Sequence, residues 1–133
     1  MKNVTIIGGG PCGVAVGIEL FLQIVNRKLQ HKIKITLLEK DAEIGYGLAF
    51  RTDQPGHLLN TQADLMGIHA DEPRHFAGWL KVHGGKNRKD VKGEGETEDS
   101  YTTRKLYGDY VSAQAQYYFQ KARETGVQFN LLR

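Results

Sequence analysis

A parallel α/β architecture built on a strand–helix–strand unit is what this sequence predicts, and three observations carry it. A short, β-branched run, Lys2-Asn3-Val4-Thr5-Ile6-Ile7, ends in a cluster of glycines. The apolar period then lengthens, with Val14, Ile18, Phe21, Leu22, Val25 and Leu29 recurring at helical spacing. A second run, Ile33-Lys34-Ile35-Thr36-Leu37-Leu38, stays largely apolar until it meets Glu39. Strands joined by a helix pair in parallel through a right-handed crossover, because only that hand packs the helix back on the sheet.

Each element follows from its residues. The first strand reads as buried because its β-branched side chains suit a pleated surface and the glycines stop it. The helix begins at Pro11, where the missing N–H of proline costs nothing. From Ile44 to Gly67 there is a Gly45-Tyr46-Gly47 turn and little periodicity, so a long, partly ordered loop in contact with a ligand is expected. Asp71-Glu72-Pro73 is expected to open a short helix burying Phe76, Trp79 and Leu80, with Asp71 or a neighbour as its cap. Residues Gly84 to Ser100 are rich in Gly, Lys and Glu, with Val91 their sizeable apolar side chain, and a mobile insertion is expected at 84–100.

A second long helix is predicted from Thr103 to Thr125, presenting Leu106, Tyr110, Val111, Tyr117, Tyr118 and Ala122, and stopped by Gly126. Val127 to Leu132 then reads as a third strand. A strand buried in a parallel sheet normally needs further cover, so the fold reads as incomplete and residues 1–133 as the N-terminal part of a longer domain. The free edge after Val127–Leu132 is an expected surface for a second copy or a partner chain.

Composition narrows the function classes. The 133 residues suit a single domain, and 16 glycines mark unusually tight turning. Eighteen basic against 15 acidic residues give +3, which tolerates an anionic ligand without announcing a nucleic-acid binder. A mean hydropathy of -0.45 and the lack of a long apolar run argue against a membrane span. A lone cysteine and no leader before Val4 make a reducing cytoplasm the expected compartment.

The motif that carries chemistry is Gly8-Gly9-Gly10-Pro11-Cys12-Gly13, a G-x-G-x-x-G set between a predicted strand and an amphipathic helix. Gly8 permits the tight turn, Gly10 lets a pyrophosphate approach the backbone, and Gly13 lets helix and strand pack closely. The first N–H groups of the helix and its dipole then favour a phosphate. This is the Rossmann-type dinucleotide fingerprint. Glu39, at the end of the second strand, supplies its other half, a carboxylate able to accept from ribose hydroxyls and to repel a 2′-phosphate. It lies further from Gly13 than the usual ~20 residues, and the long helix with the Arg27–Lys32 loop accounts for the excess. Lys40, beside it, is a candidate contact to phosphate or adenine. Cys12 has no second cysteine as a redox partner, no Cys/His set has zinc spacing, and no metal is expected.

Further segments extend the pattern: Leu37-Leu38-Glu39-Lys40, Gly45-Tyr46-Gly47-Leu48-Ala49-Phe50, His57-Leu58-Leu59-Asn60-Thr61 and Arg104-Lys105-Leu106-Tyr107-Gly108-Asp109-Tyr110. With them the chain resembles the N-terminal part of an FAD/NAD(P)-binding flavoprotein of the glutathione-reductase-like superfamily with two dinucleotide-binding domains. Within that superfamily it is similar to a bacterial group of FAD-NAD(P)-binding proteins. The resemblance implies FAD bound extended, with its pyrophosphate on the Gly8, Gly10, Pro11, Cys12, Gly13 turn and its adenosine ribose on Glu39. It places Gly47, His57 and Asn60 near the ribityl chain or flavin, and Arg104 near a phosphate or a second nucleotide. An Asx turn at Asn60, a helix-cap pairing at Arg104 and a structural role for His57 are the competing readings.

The implied activity is flavin-dependent oxidation or reduction of an unidentified small molecule, monooxygenase chemistry included, with NAD(P)H as electron donor. The second nucleotide-binding unit of that superfamily is not among these 133 residues. An NAD-binding dehydrogenase module and a non-catalytic nucleotide-binding or interaction module therefore stay open, and no residue is assigned a catalytic role.

Overall fold

The computed structural model describes residues 1–83, the backbone of 91–92, and residues 101–133. Strand β1 (Lys2–Ile7) leads into helix α1 (Pro11–Asn26) and strand β2 (Ile33–Leu38), the expected parallel unit. β1 and β2 pair in register from Lys2 with Ile33 to Ile7 with Leu38. A 3-10 turn at Ala63–Leu65 and helix α2 (His75–His83) follow. Helix α3 (Arg104–Thr125) returns the chain to β5 (Phe129–Leu132), which pairs in parallel with β2 from Ile35 with Phe129 to Leu38 with Leu132. The sheet order β1-β2-β5 makes β2 central, and its Ile35 and Leu37 are fully buried.

Most of the expected elements stand, with shifted ends that have local causes. α2 starts at His75, later than Asp71-Glu72-Pro73 promises. The chain enters it through backbone turns, Glu72 N–H to the His69 carbonyl at 3.1 Å and His75 N–H to the Glu72 carbonyl at 3.0 Å. α3 is capped by Thr103, whose hydroxyl accepts from Leu106 N–H at 3.2 Å, and it ends at Gly126 with φ 74°. Val127 N–H still donates to the Ala122 carbonyl at 2.9 Å, which holds it in the helix terminus and delays β5 to Phe129. The expected insertion at 84–100 lies outside the described residues, apart from β3 (Val91–Lys92). This short strand pairs antiparallel with β4 (Tyr101–Thr102), a ribbon the composition did not announce.

The core forms where helices meet the sheet. One cluster joins Val14 and Ile18 of α1, Phe76 and Leu80 of α2, and Tyr110 and Val111 of α3. A second gathers Phe21, Ile24, Ile35, Ala122 and Val127 near the start of β2. Ile6, Leu22, Tyr118 and Phe129 pack against both, and Ile35 and Leu37 share one face of β2, so the two are continuous along the same side of the sheet. α1 approaches β5 closely because Gly17 has no side chain; a Cβ there would sit 2.7 Å from the Phe129 ring.

Candidate functional site

The site is built at the carboxyl ends of β1 and β2. Gly8 leaves β1 with φ 101°, in the region where L side chains are strained, and its N–H donates to the Leu38 carbonyl at 2.8 Å. The Gly8 carbonyl occupies the space that a Cβ on Gly13 would need, so α1 begins flush against the strand end. Gly10 is the N-cap of α1, in extended conformation and without a side chain to cap the helix. The first intrahelical bond runs from Val14 N–H to the Gly10 carbonyl at 3.0 Å. The amides of Cys12 and Gly13, one turn too early to have an intrahelical acceptor, therefore make this terminus a ready anion site.

Glu39 is the hinge of the arrangement. Its carboxylate, 8% exposed, accepts from Gly9 N–H at 2.7 Å and from Asp41 N–H at 3.0 Å. It thus ties the glycine turn to the segment that leaves β2, while each oxygen keeps a lone pair for another donor.

The Gly45–Phe50 turn lies over the glycine turn. Gly45, at φ 99°, donates its N–H to the Gly9 carbonyl at 2.7 Å. Gly10 and Gly47 approach so closely that a Cβ on Gly10 would lie 3.3 Å from Gly47 Cα. α3 backs this turn. A Cβ on Gly45 would lie 2.6 Å from Ser112 N, and one on Gly108 would lie 2.8 Å from the Phe50 carbonyl. Tyr46 O–H donates to Asp109 at 2.6 Å, and Lys105 Nζ reaches the same carboxylate at 2.9 and 3.2 Å. Burial, reinforced by Asp109, raises the Tyr46 phenol well above its ordinary value, so it stays a donor.

These parts enclose an open cavity of about 600 Å³. Gly8, Gly10, Glu39, Lys40 and Gly47 line it on the side of the glycine turn, and Asp41, Arg51 and Arg133 line the rest with apolar neighbours. Ile7, Leu48 and Leu132, also in its walls, are 86%, 90% and 51% exposed. Large apolar side chains left open around a polar floor are what a partly apolar ligand covers. Arg51 pairs with Asp41 and donates from Nε to the Gly47 carbonyl at 2.8 Å, and Arg133 donates to the Ala42 carbonyl at 2.7 Å. The Arg51 guanidinium holds the Asp41 carboxyl below its ordinary range.

Of the residues singled out in the sequence, Gly8, Gly10, Glu39, Lys40 and Gly47 meet in this cavity. Pro11, Cys12 and Gly13 form the first turn of α1 beside it, with Cys12 exposed. His57, Asn60 and Arg104 assemble elsewhere, where the 57–60 segment runs antiparallel to the start of α3 through a Leu58–Thr103 bridge. Arg104 donates from its backbone to the His57 carbonyl at 2.8 Å and from Nε to the Leu58 carbonyl at 3.2 Å. His57 Nδ1 meets the Thr52 hydroxyl at 2.7 Å, and the Asn60 side chain accepts from Thr61 at 3.4 Å. Asp41, Arg51 and Arg133 were not legible as site residues, because isolated charges in a loop carry no period; only the proximity of Arg51 to the Gly45–Phe50 turn hinted at it. Among the described residues no His, Cys, Asp or Glu group could hold a metal, and no helix is long and apolar enough to cross a membrane.

Parallel sheet, glycine turn, uncapped helix and strand-end carboxylate together define a dinucleotide-binding α/β domain of Rossmann type. The model of the family described as FAD-NAD(P)-binding matches residues 5–133, and the chain belongs to that family. No curated protein matches the chain. Among solved structures, the crystal structure of Thermovibrio ammonificans THI4 is similar, with a TM-score of 0.46 and 15% identity over 98% of this chain. The chain spans 37% of the length of that structure.

Proposed function

We propose that this chain is the FAD-holding portion of a flavin-dependent oxidoreductase that takes its electrons from NAD(P)H. The observation that carries the reading is the convergence, in one cavity of about 600 Å³, of Gly8, Gly10 and Glu39 with an uncapped α1 terminus. The residues present fit the cofactor. The α1 amides and Gly8, Gly10 and Gly13 receive the pyrophosphate, and the free lone pairs of Glu39 accept from the adenosine ribose. Lys40 and the exposed Ile7 and Leu132 flank the adenosine end. Gly47, pressed against Gly10, carries the Gly45–Phe50 turn toward the rest of an extended ligand, and this turn favours FAD over NAD. FAD, when bound, supplies the redox chemistry; the chain supplies position, exclusion of water and charge.

The test is a visible spectrum of the chain after mixing with FAD and gel filtration. Flavin absorbance near ~450 nm travelling with the protein, and bleaching on addition of NAD(P)H, are the expected results. Flavin that is retained and never bleached leaves a binding module without the electron transfer. NAD binding without flavin retention sinks the FAD assignment.

A further inference from the structure

We propose that Asp41 is an internal stand-in for ligand phosphate: in the ligand-free chain it engages the Arg51 guanidinium, and an incoming pyrophosphate displaces it. The inference rests on the reading of this cavity as a dinucleotide site and adds the pair that governs how strongly phosphate is preferred there.

Geometry carries it. Arg51 and Asp41 both line the cavity that the glycine turn opens into. Arg51 is fixed at one edge, through Nε to the Gly47 carbonyl at 2.8 Å, and Gly47 is packed against Gly10. The guanidinium is thereby delivered beside the α1 terminus, where the phosphate-binding amides lie. From its other edge, Nη2 donates to Asp41 Oδ2. A guanidinium matches a phosphate with parallel N–H donors as well as it matches a carboxylate, so Asp41 and a phosphate compete for one partner.

The pair is built to exchange. Its side chains are 43% and 28% exposed, so water can solvate Asp41 once released, and exposed ion pairs stabilise a fold little. The Asp41 N–H donates to the Glu39 carboxylate at 3.0 Å, which keeps the residue's backbone in place when its side chain lets go. A bound pyrophosphate, held by the α1 amides as well, outbids a lone carboxylate for the same donors.

The two partners then have opposite effects on one ligand. Arg51→Gln removes the donor and weakens ADP binding about tenfold or more, the scale of a charge-assisted hydrogen bond. Asp41→Asn removes the competitor and tightens ADP several-fold. Adenosine, which has no phosphate, binds both variants as it binds the wild type. Calorimetric titration of the full chain with ADP, adenosine and FAD reads all of this, and circular dichroism with thermal melts checks that each variant folds. Arg51→Lys, which keeps the charge and loses the fork, falls between wild type and Arg51→Gln.

Weaker ADP binding by Asp41→Asn would make Asp41 a positioning residue for Arg51 and overturn the proposal. So would equal losses for ADP and adenosine in both variants, the mark of a structural clip in the loop. Wild-type chain that binds ADP with these opposite shifts yet does not retain FAD removes the flavin reading and leaves this one standing. Wild-type chain that binds neither ADP nor adenosine removes both.

Discussion

At Glu39 one carboxylate serves two backbone donors and faces the cavity with what remains of its acceptor capacity. Glu39→Gln tests that economy. An amide presents an N–H₂ group in place of one oxygen, so Gly9 or Asp41 loses its acceptor and the ribose loses a charged one. A buried donor left unsatisfied costs ~1–3 kcal/mol, and that cost falls on folding and on nucleotide binding together. The expected outcome is a lower melting temperature with FAD affinity reduced about tenfold or more; unchanged affinity would remove Glu39 from the ribose site. Thr103 is the control at the same scale. Its hydroxyl caps α3 and is not among the residues that line the cavity, so Thr103→Ala should cost ~0.5–2 kcal/mol in urea denaturation. It should leave the affinity measured for the surviving folded fraction unaltered. Both residues contrast with Asp41 and Arg51 in legibility. A strand-ending carboxylate and a Thr ahead of a helical run stand out by their place in a periodic pattern, whereas a charge in an aperiodic loop has no such frame.

Between elements, the decisive contact is α3 against the Gly45–Phe50 turn. Gly108 lies in mid-helix, where glycine costs about 1 kcal/mol against alanine, so its presence there calls for a packing reason. The Tyr46 ring and the Phe50 carbonyl occupy the space its Cβ would need. Gly108→Ala should therefore destabilise rather than stabilise, by ~1–3 kcal/mol of overpacking that exceeds the helix-propensity gain. The displaced turn should also loosen the Gly47 wall, so FAD affinity falls along with the denaturation midpoint. A rise in midpoint would show that the turn yields freely. The helix itself was plain from the sequence, but its buried face was only partly so. Tyr117, read as an inward position, is 53% exposed, while Tyr107, Gly108 and Ser112 are buried without having been expected. For Gly108 and Ser112 the reason is physical: small residues are buried by close approach of another backbone, and hydropathy does not record that approach. The β3–β4 ribbon was hidden for a related cause, since strands of two residues are too short to show a period.

Across the whole molecule, the segment before α2, α2 itself and α3 are joined by a polar network set into an otherwise apolar core. Ile68 N–H donates to the Tyr110 hydroxyl at 3.2 Å, and that hydroxyl is 2.8 Å from His75 Nδ1. With Tyr110 O–H assigned as the donor to Nδ1, His75 is neutral and carries its hydrogen on Nε2. Protonation would place a second donor on the same oxygen and leave the tyrosine proton without this acceptor. Burial lowers the His75 value first, and the His69 ring, 4.3 Å away, lowers it further, while Glu72 acts in the other direction. His69 is held in turn by the Gln114 side chain at 3.1 Å, and Tyr118 completes the aromatic surroundings. The folded-state value thus lies below the ordinary 6.5 of the unfolded chain. The stability His75 contributes is present above that value and is lost as pH falls through the lower, folded-state one. Denaturation midpoints measured from pH 8 down to about pH 5 should decline. In His75→Gln, where a neutral acceptor replaces the imidazole and cannot titrate, the decline should be shallower. Identical slopes for the two proteins would place the acid sensitivity elsewhere, and nucleotide affinity should follow the folded fraction in both, because this network lies apart from the residues that line the cavity.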